Sequence, residues 1–291
     1  MRKNKKIRIL RILCAMLCCI CLMGTLPVEN VSAASTPVKK NGRLSVKGTR
    51  LVNSQGKTVV LKGVSTHGIN WFPQYVNKAA FKTLRDNWGV NCIRLAMYTE
   101  EYNGYCSGGN QAELRKLINN GVKYATELGM YVIIDWHILS DGNPVKNKKQ
   151  AISFFKYMAK KYKNQNNIFY EICNEPNGGT SWNTIKSYAS SVIKTIRKYD
   201  KKNIILVGTP TWSQDVDVAA DSPIKGYSNI MYTFHFYAAT HGDSYRQKVQ
   251  AAIQKGLPVL VSEFGISESS GNGRIDKNEA NKWMQFLKKN K

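Results

Sequence analysis

Apolar positions along this chain fall into two alternating patterns. Short, β-branched, almost wholly apolar runs occupy residues 59–64, 92–97, 131–136, 168–172, 204–207, 230–234 and 257–261. Between them lie stretches in which apolar residues recur every three or four positions. Leu114, Leu117, Ile118, Val122, Ala125 and Leu128 form one such stripe, and Gly129 ends it. Ile185, Tyr188, Val192 and Ile196 form another, opened by Ser181 and closed before a turn at 201–203. A last helix is expected at about 277–289. Near-continuous apolar strands alternating with amphipathic helices are the signature of a covered parallel sheet, so the fold class is α/β. Seven such units in succession point to the (β/α)8 TIM-barrel family, whose active sites lie at the carboxyl ends of the strands. A doubly wound sheet is the alternative, but residues 63–68 match its glycine-rich phosphate loop poorly. A hairpin-like piece, 44–46 with 50–52 and its turn at 53–56, precedes the first unit.

Residues 1–33 obey another rule. A basic start is followed by a short apolar stretch broken by Gly24 and Pro27, then by Val31-Ser32-Ala33. That order describes a secretory signal peptide, and the protein is expected outside the cell. No later segment approaches the roughly 20 apolar residues that a spanning helix needs, so no membrane contact is expected after signal removal. The leader holds six basic residues and Glu29, so the chain from Ala34 keeps +19 of the total net charge of +24. Its lysines are scattered over helices and loops without an arginine-rich stripe, which disfavours a nucleic-acid partner. The charge reads as a solvated cationic surface with some attraction to anionic cell walls. Four of the seven cysteines leave with the leader; Cys92, Cys106 and Cys173 remain, too few for a disulfide framework. No His/Cys cluster stands at ligand spacing, and neither a metal nor a cofactor is expected. Cys92 and Cys173 share strand parity with Arg94 and Glu175 and should be buried interior thiols.

What ends each apolar run carries the chemistry. In chain order the ends hold Ser65-Thr66-His67, Arg94 with Tyr98, Asp135-Trp136-His137, Asn174-Glu175-Pro176, Trp212-Ser213-Gln214, His235-Phe236-Tyr237 and Ser262-Glu263-Phe264-Gly265. A barrel gathers all of them around one cleft. Glu175 and Glu263 stand out, because glycosidic cleavage needs one acid for the leaving oxygen and one carboxylate at the anomeric carbon. Carboxyl groups about 5–5.5 Å apart give a retaining double displacement.

With these motifs in order, the chain resembles the secreted family 5 glycoside hydrolases from about Asn41 to Lys291. The Trp212-Ser213-Gln214-Asp215 stretch and the opening at Gly42 look most like the bacterial endo-β-1,4-glucanase branch. The resemblance implies Glu175 as acid/base and Glu263 as nucleophile. It implies that Arg94 and Tyr237 donate to Glu263 and that Asn174 meets the sugar 2-hydroxyl. His67, His137 and His235 line the sugar site, and Trp71, Tyr98 and Trp212 offer stacking faces. The expected activity is cleavage of internal β-1,4-glucosidic bonds of cellulose or soluble β-glucans. The alternatives are a β-mannanase, a mixed-linkage β-glucanase, or an inactive carbohydrate-binding remnant. One departure bears on that last reading. The family's eighth strand, with a tryptophan under the sugar site, has no counterpart after the seventh run, and Trp283 falls inside a helix. The expectation is therefore a catalytic domain over 34–291 whose barrel is incomplete at its carboxyl end.

Overall fold

The computed structural model describes residues 35–291, and the expected signal peptide lies outside them. Helix α1 (Pro37–Asn41) leads into the antiparallel strands β1 (Ser45–Lys47) and β2 (Arg50–Val52). Lys47 faces Arg50 across Gly48, whose φ of 57° lets the chain reverse there. The hairpin turn is thus not at 53–56. That segment makes a second reversal, closed by a bridge between Val52 and Thr58.

The parallel sheet follows: β3 (Gly63–Ser65), α2 (Lys78–Trp88), β4 (Cys92–Tyr98), α3 (Gln111–Glu127), β5 (Tyr131–His137), α4 (Lys148–Tyr162), β6 (Ile168–Glu171), α5 (Trp182–Tyr199), β7 (Ile204–Val207), a short α6 (Val216–Asp221), β8 (Ile230–Tyr237), α7 (Asp243–Gln254), β9 (Val259–Gly265) and α8 (Lys277–Asn290). Strands pair in chain order from β3 to β9, a TIM-barrel arrangement with seven strands among the described residues. β3 and β9 are not paired with each other.

Two strand boundaries differ from the sequence expectation. Residues 59–61 do not join β3, because the Val59 amide donates to Leu51 and so belongs to the hairpin. β9 begins only after Pro258, which has no amide to donate. It then runs on through Gly265.

Period-two alternation separates two cores. Cys92, Ile133, Phe169, Leu206 and Met231 point into the barrel, where Leu44 and Leu51 of the hairpin plug its amino-terminal end. Ile93, Leu95, Met97, Ile134 and Trp136 face outward under the helices. Cys173 is buried in this outer layer, not in the interior that parity suggested, because β6 has ended at Glu171. Trp283 of α8 is fully buried, stacks on Phe236 at 4.0 Å and donates its indole N–H to the His241 carbonyl. Burying one such side chain contributes about 1.5–3 kcal/mol. This contact pins α8 against β8.

Candidate active site

The carboxyl ends of the strands open onto a cleft of about 900 Å³. His67, Tyr98, His137, Glu175, Trp212, His235, Tyr237 and Glu263 line it. Three further sequence-derived candidates do not. Arg94 and Asn174 are buried beneath the floor, and Trp71 packs behind Tyr98 at 4.6 Å with its indole N–H donated to the Tyr102 carbonyl.

Arg94 organises the floor. Its Nε donates to Glu171 Oε2 at 2.7 Å, and its Nη1 donates to Glu263 Oε2 at 3.0 Å. Its Nη2 reaches Asn174 Oδ1 at 2.6 Å and Asp135 Oδ2 at 3.0 Å. A planar guanidinium with five donors suits this divergent set as an ammonium could not. Because Asn174 Oδ1 takes the arginine, its amide nitrogen faces His137 Nε2 at 3.1 Å and the Ile138 carbonyl at 3.1 Å. His137 Nε2 is then an acceptor, and Nδ1 carries the proton that it donates to Asp135 at 2.6 Å. The Asn174 side chain is thereby engaged within the protein at both ends.

Glu263 is held at both oxygens. Tyr237 donates its hydroxyl to Oε1 at 2.6 Å, opposite the Arg94 bond to Oε2. Burial pushes this carboxyl up, but the charges of His235 and Arg94 and the Tyr237 hydroxyl outweigh it and hold it at about 2. Glu263 is therefore ionised at any working pH.

A second chain of bonds runs to Glu175. His235 Nδ1 lies 2.8 Å from Glu175 Oε1, and its Nε2 lies 2.8 Å from Ser262 Oγ. Ser262 in turn donates to Glu171 Oε1 at 2.6 Å. Burial alone would push His235 down. Its bonding toward Glu171 and Glu175 overrides burial and raises it to about 10, so it is an imidazolium at neutral pH. Its charge and that of Arg94 offset the buried carboxylates around them. Burial also pushes Asp135 up, against the pull of Arg94.

A local irregularity permits both networks. Adjacent strand residues normally face opposite sides of a sheet, yet Ser262 and Glu263 both reach the interior. The β8–β9 register shifts here, pairing Phe234 with Val261 and then His235 with Glu263. Ser262 is the extra residue, and such bulges re-aim side chains. Alternation read from the sequence gives no sign of it.

Trp212 reaches the cleft from another irregular feature. Thr211, Trp212 and Ser213 have φ of 56°, 54° and 55°, three successive non-glycine residues in the left-handed region. Ser213 Oγ secures the turn by donating to the Asn174 carbonyl at 2.6 Å while accepting from the Thr209 amide and the Thr233 hydroxyl.

Sequence reasoning did not single out Glu171, the Ser262 relay or His241. His241 accepts the Tyr237 amide on Nδ1, and burial together with Lys248 lowers it to about 4. Glu171 did carry a signal, as the one carboxylate inside the apolar run 168–172.

One ligand atom each from Glu175, His235 and Glu263 lies within 4.8 Å of the other two. Three such donors could in principle hold a metal ion. Here, however, the imidazole is hydrogen-bonded through both nitrogens, and the carboxylates are matched by Arg94, His235 and Tyr237. The arrangement suits acid–base and nucleophilic chemistry on its own.

Parallel β-α units that bring two glutamates together over a buried arginine define a TIM-barrel protein with a paired-carboxylate site. The family profile described as cellulase (glycosyl hydrolase family 5) matches residues 52–291, and the chain belongs to that family. Endoglucanase A of Butyrivibrio fibrisolvens is 49% identical over 265 residues, which cover 90% of this chain and 61% of that protein. An endoglucanase of Clostridium saccharobutylicum is 51% identical over 267 residues, covering 91% and 59%. The chain thus spans about three fifths of the length of these curated relatives. Among solved structures, the catalytic domain of a Thermobifida fusca endoglucanase aligns with a TM-score of 0.83 at 38% identity, covering 88% of this chain and 84% of that one. A variant of that domain has been solved with cellotetraose.

Proposed function

We propose that this chain is the catalytic part of a secreted, retaining endo-β-1,4-glucanase acting on cellulose or soluble β-glucans. The observation that carries the reading is the approach of Glu175 and Glu263 oxygens to within 4.8 Å, with Glu263 held ionised. Inverting sites separate their carboxyl groups by about 6.5–9.5 Å to admit a water, and the close approach of the two glutamates supports the shorter, retaining spacing. Glu175 protonates the glycosidic oxygen as that bond breaks, and Glu263 forms a bond to the anomeric carbon. The covalent ester removes the Glu263 charge. Glu175 then takes a proton from water, whose oxygen displaces Glu263 and leaves the sugar in its starting configuration. Arg94 and Tyr237 aim the nucleophile and receive its charge back. His137 and His235 border the reacting sugar, while Tyr98 and Trp212 supply ring faces to its neighbours.

The endoglucanase names of the relatives support the β-1,4-glucan substrate. The residue pattern of 1–33 supports secretion of a domain beginning at Ala34. Reducing-sugar release from carboxymethylcellulose, with little from mannan, is the expected outcome. Glu175→Gln should lower kcat by about 10²–10⁴-fold, the usual worth of a general acid, and Glu263→Gln should remove turnover. Faster release from mannan would move the assignment to a β-mannanase, and full activity in either variant would overturn the roles.

A further inference from the structure

The turn that carries Trp212 is fastened to both neighbours of Glu175. The Trp212 amide donates to the Pro176 carbonyl at 3.0 Å, and Ser213 Oγ donates to the Asn174 carbonyl. Glu175 gives its proton to the departing oxygen, so the Trp212 ring stands on the leaving-group side of the cleft. That ring is 45% exposed, and among the described residues no side-chain hydrogen bond holds its indole. Its direction is therefore set by the backbone of residues 211–213, all three in the left-handed region.

Ser213 secures the inner end of this turn. The outer end is held by side chains that take no part in the chemistry. Thr211 Oγ1 donates to Asp215 Oδ2 at 2.6 Å, and Lys248 Nζ of α7 donates to Asp215 Oδ1 at 2.6 Å. Asp215 stands at the N-cap position of α6, where a carboxylate ordinarily accepts from the helix amides. Here it caps nothing, and its two oxygens go to the turn and to α7. Lys248 Nζ also sits 5.3 Å over the Tyr245 ring, and Tyr245 lies 4.5 Å from His241. His241 Nε2 is 3.3 Å from the side-chain amide of Gln214, which closes a ring of contacts back to the turn. Gln214, His241 and Tyr245 line the cleft wall; Asp215 and Lys248 stand behind it.

We propose that Asp215 and Lys248 are positioning residues, which fix the outer end of the turn and so aim the Trp212 ring at the departing sugar. Neither touches substrate. A second ion pair of the same helix, Lys255 with Asp221, does not reach the turn and serves as the internal comparison. The ring meets the departing sugar before and during bond cleavage alike, so losing its aim weakens binding more than the chemical step. This role rests on the glucanase reading of the cleft.

Three variants of the full chain test it against the wild type. Lys248→Met keeps the stem and removes the charge, Lys248→Arg restores the charge, and Lys255→Met breaks the neighbouring pair. The first readout is the Trp212 indole N–H resonance, assigned by its loss in Trp212→Phe. It should shift or broaden in Lys248→Met, return toward its wild-type position in Lys248→Arg and stay in place in Lys255→Met. The second readout is hydrolysis of cellopentaose. Lys248→Met should raise KM about three- to fivefold while kcat stays within about twofold, and Lys255→Met should match the wild type. An unmoved indole signal in Lys248→Met, a fall in kcat at constant KM, or equal effects of Lys248→Met and Lys255→Met would each overturn the proposal. Failure of the glucanase reading would appear separately, as absent hydrolysis by the wild type, and the indole signal would still decide whether the pair aims Trp212.

Discussion

Glu171 never lines the cleft, yet it sets the state of a residue that touches Glu175. It accepts from Arg94 on one oxygen and from Ser262 on the other, and Ser262 accepts from His235. His235 therefore keeps its proton to about 10, above the ordinary 6.5. A raised folded value means that this group's contribution to stability is fully present below pH 6.5 and is lost as pH rises through about 10. Glu171 and Glu263 are held at about 2, below the ordinary 4.5. Their contribution is present above pH 4.5 and is lost as pH falls toward 2. Glu171→Gln should accordingly move the alkaline limb of kcat/KM to lower pH, because His235 loses a charge that holds its proton. A merely structural loss would lower the whole profile without moving that limb, and an unmoved limb would remove Glu171 from the relay. The sequence shows Glu171 as a charge in an apolar strand but not its partner. Arg94 lies 77 positions away, and only the closing of the sheet brings them together.

At the scale of elements, irregular geometry places key groups. Each left-handed non-glycine residue costs on the order of 1–3 kcal/mol, so the turn around Trp212 persists only because its bonds over-determine it. Ser213→Ala would leave the Asn174 carbonyl without its donor and the Thr209 amide without its acceptor, at about 1–3 kcal/mol. The expected result is a lower Tm and a KM raised more than kcat is lowered, since Trp212 loses its aim while the carboxylates stay in place. An unchanged Tm and KM would contradict the account of the turn. The helices singled out from the sequence, α3, α5 and α8, were legible because their signals are local: Ser181 accepts the Thr184 amide at the start of α5, and Gly129 takes a φ of 65° just beyond α3. The hairpin register and the Ser262 bulge were not, because each depends on which strand lies alongside, and a single segment does not record its neighbour. The start of β9 was marked locally by Pro258.

Across the described residues, the seven parallel strands curl around the buried Arg94 guanidinium. Arg94 reaches Ser65 at 3.3 Å and Glu263 at 3.0 Å, so it ties the two edge strands, β3 and β9, together at the cleft end. The site is thus assembled without pairing between β3 and β9. The edges themselves stay open, and Val64, Phe264 and Ile266 are exposed beside them. Unpaired edges with apolar neighbours favour association between chains. Residues 34–291 prepared alone should therefore show a sedimentation coefficient that rises with concentration. A concentration-independent monomer would mean that these edges are protected. The count of seven strand runs was legible from sequence, because each run is apolar on both faces. The tie across the gap was not, because it depends on one side chain spanning several strands.

The central claim is that Glu263 attacks the anomeric carbon while Glu175 supplies and then removes a proton. Proton NMR of the first product released from a soluble β-cello-oligosaccharide tests it most directly. The account predicts the β-anomer first, with the α-anomer growing only as mutarotation proceeds. An α-anomer formed first would mean single displacement by water, and it would contradict the reading of the two carboxylates as a close-spaced retaining pair.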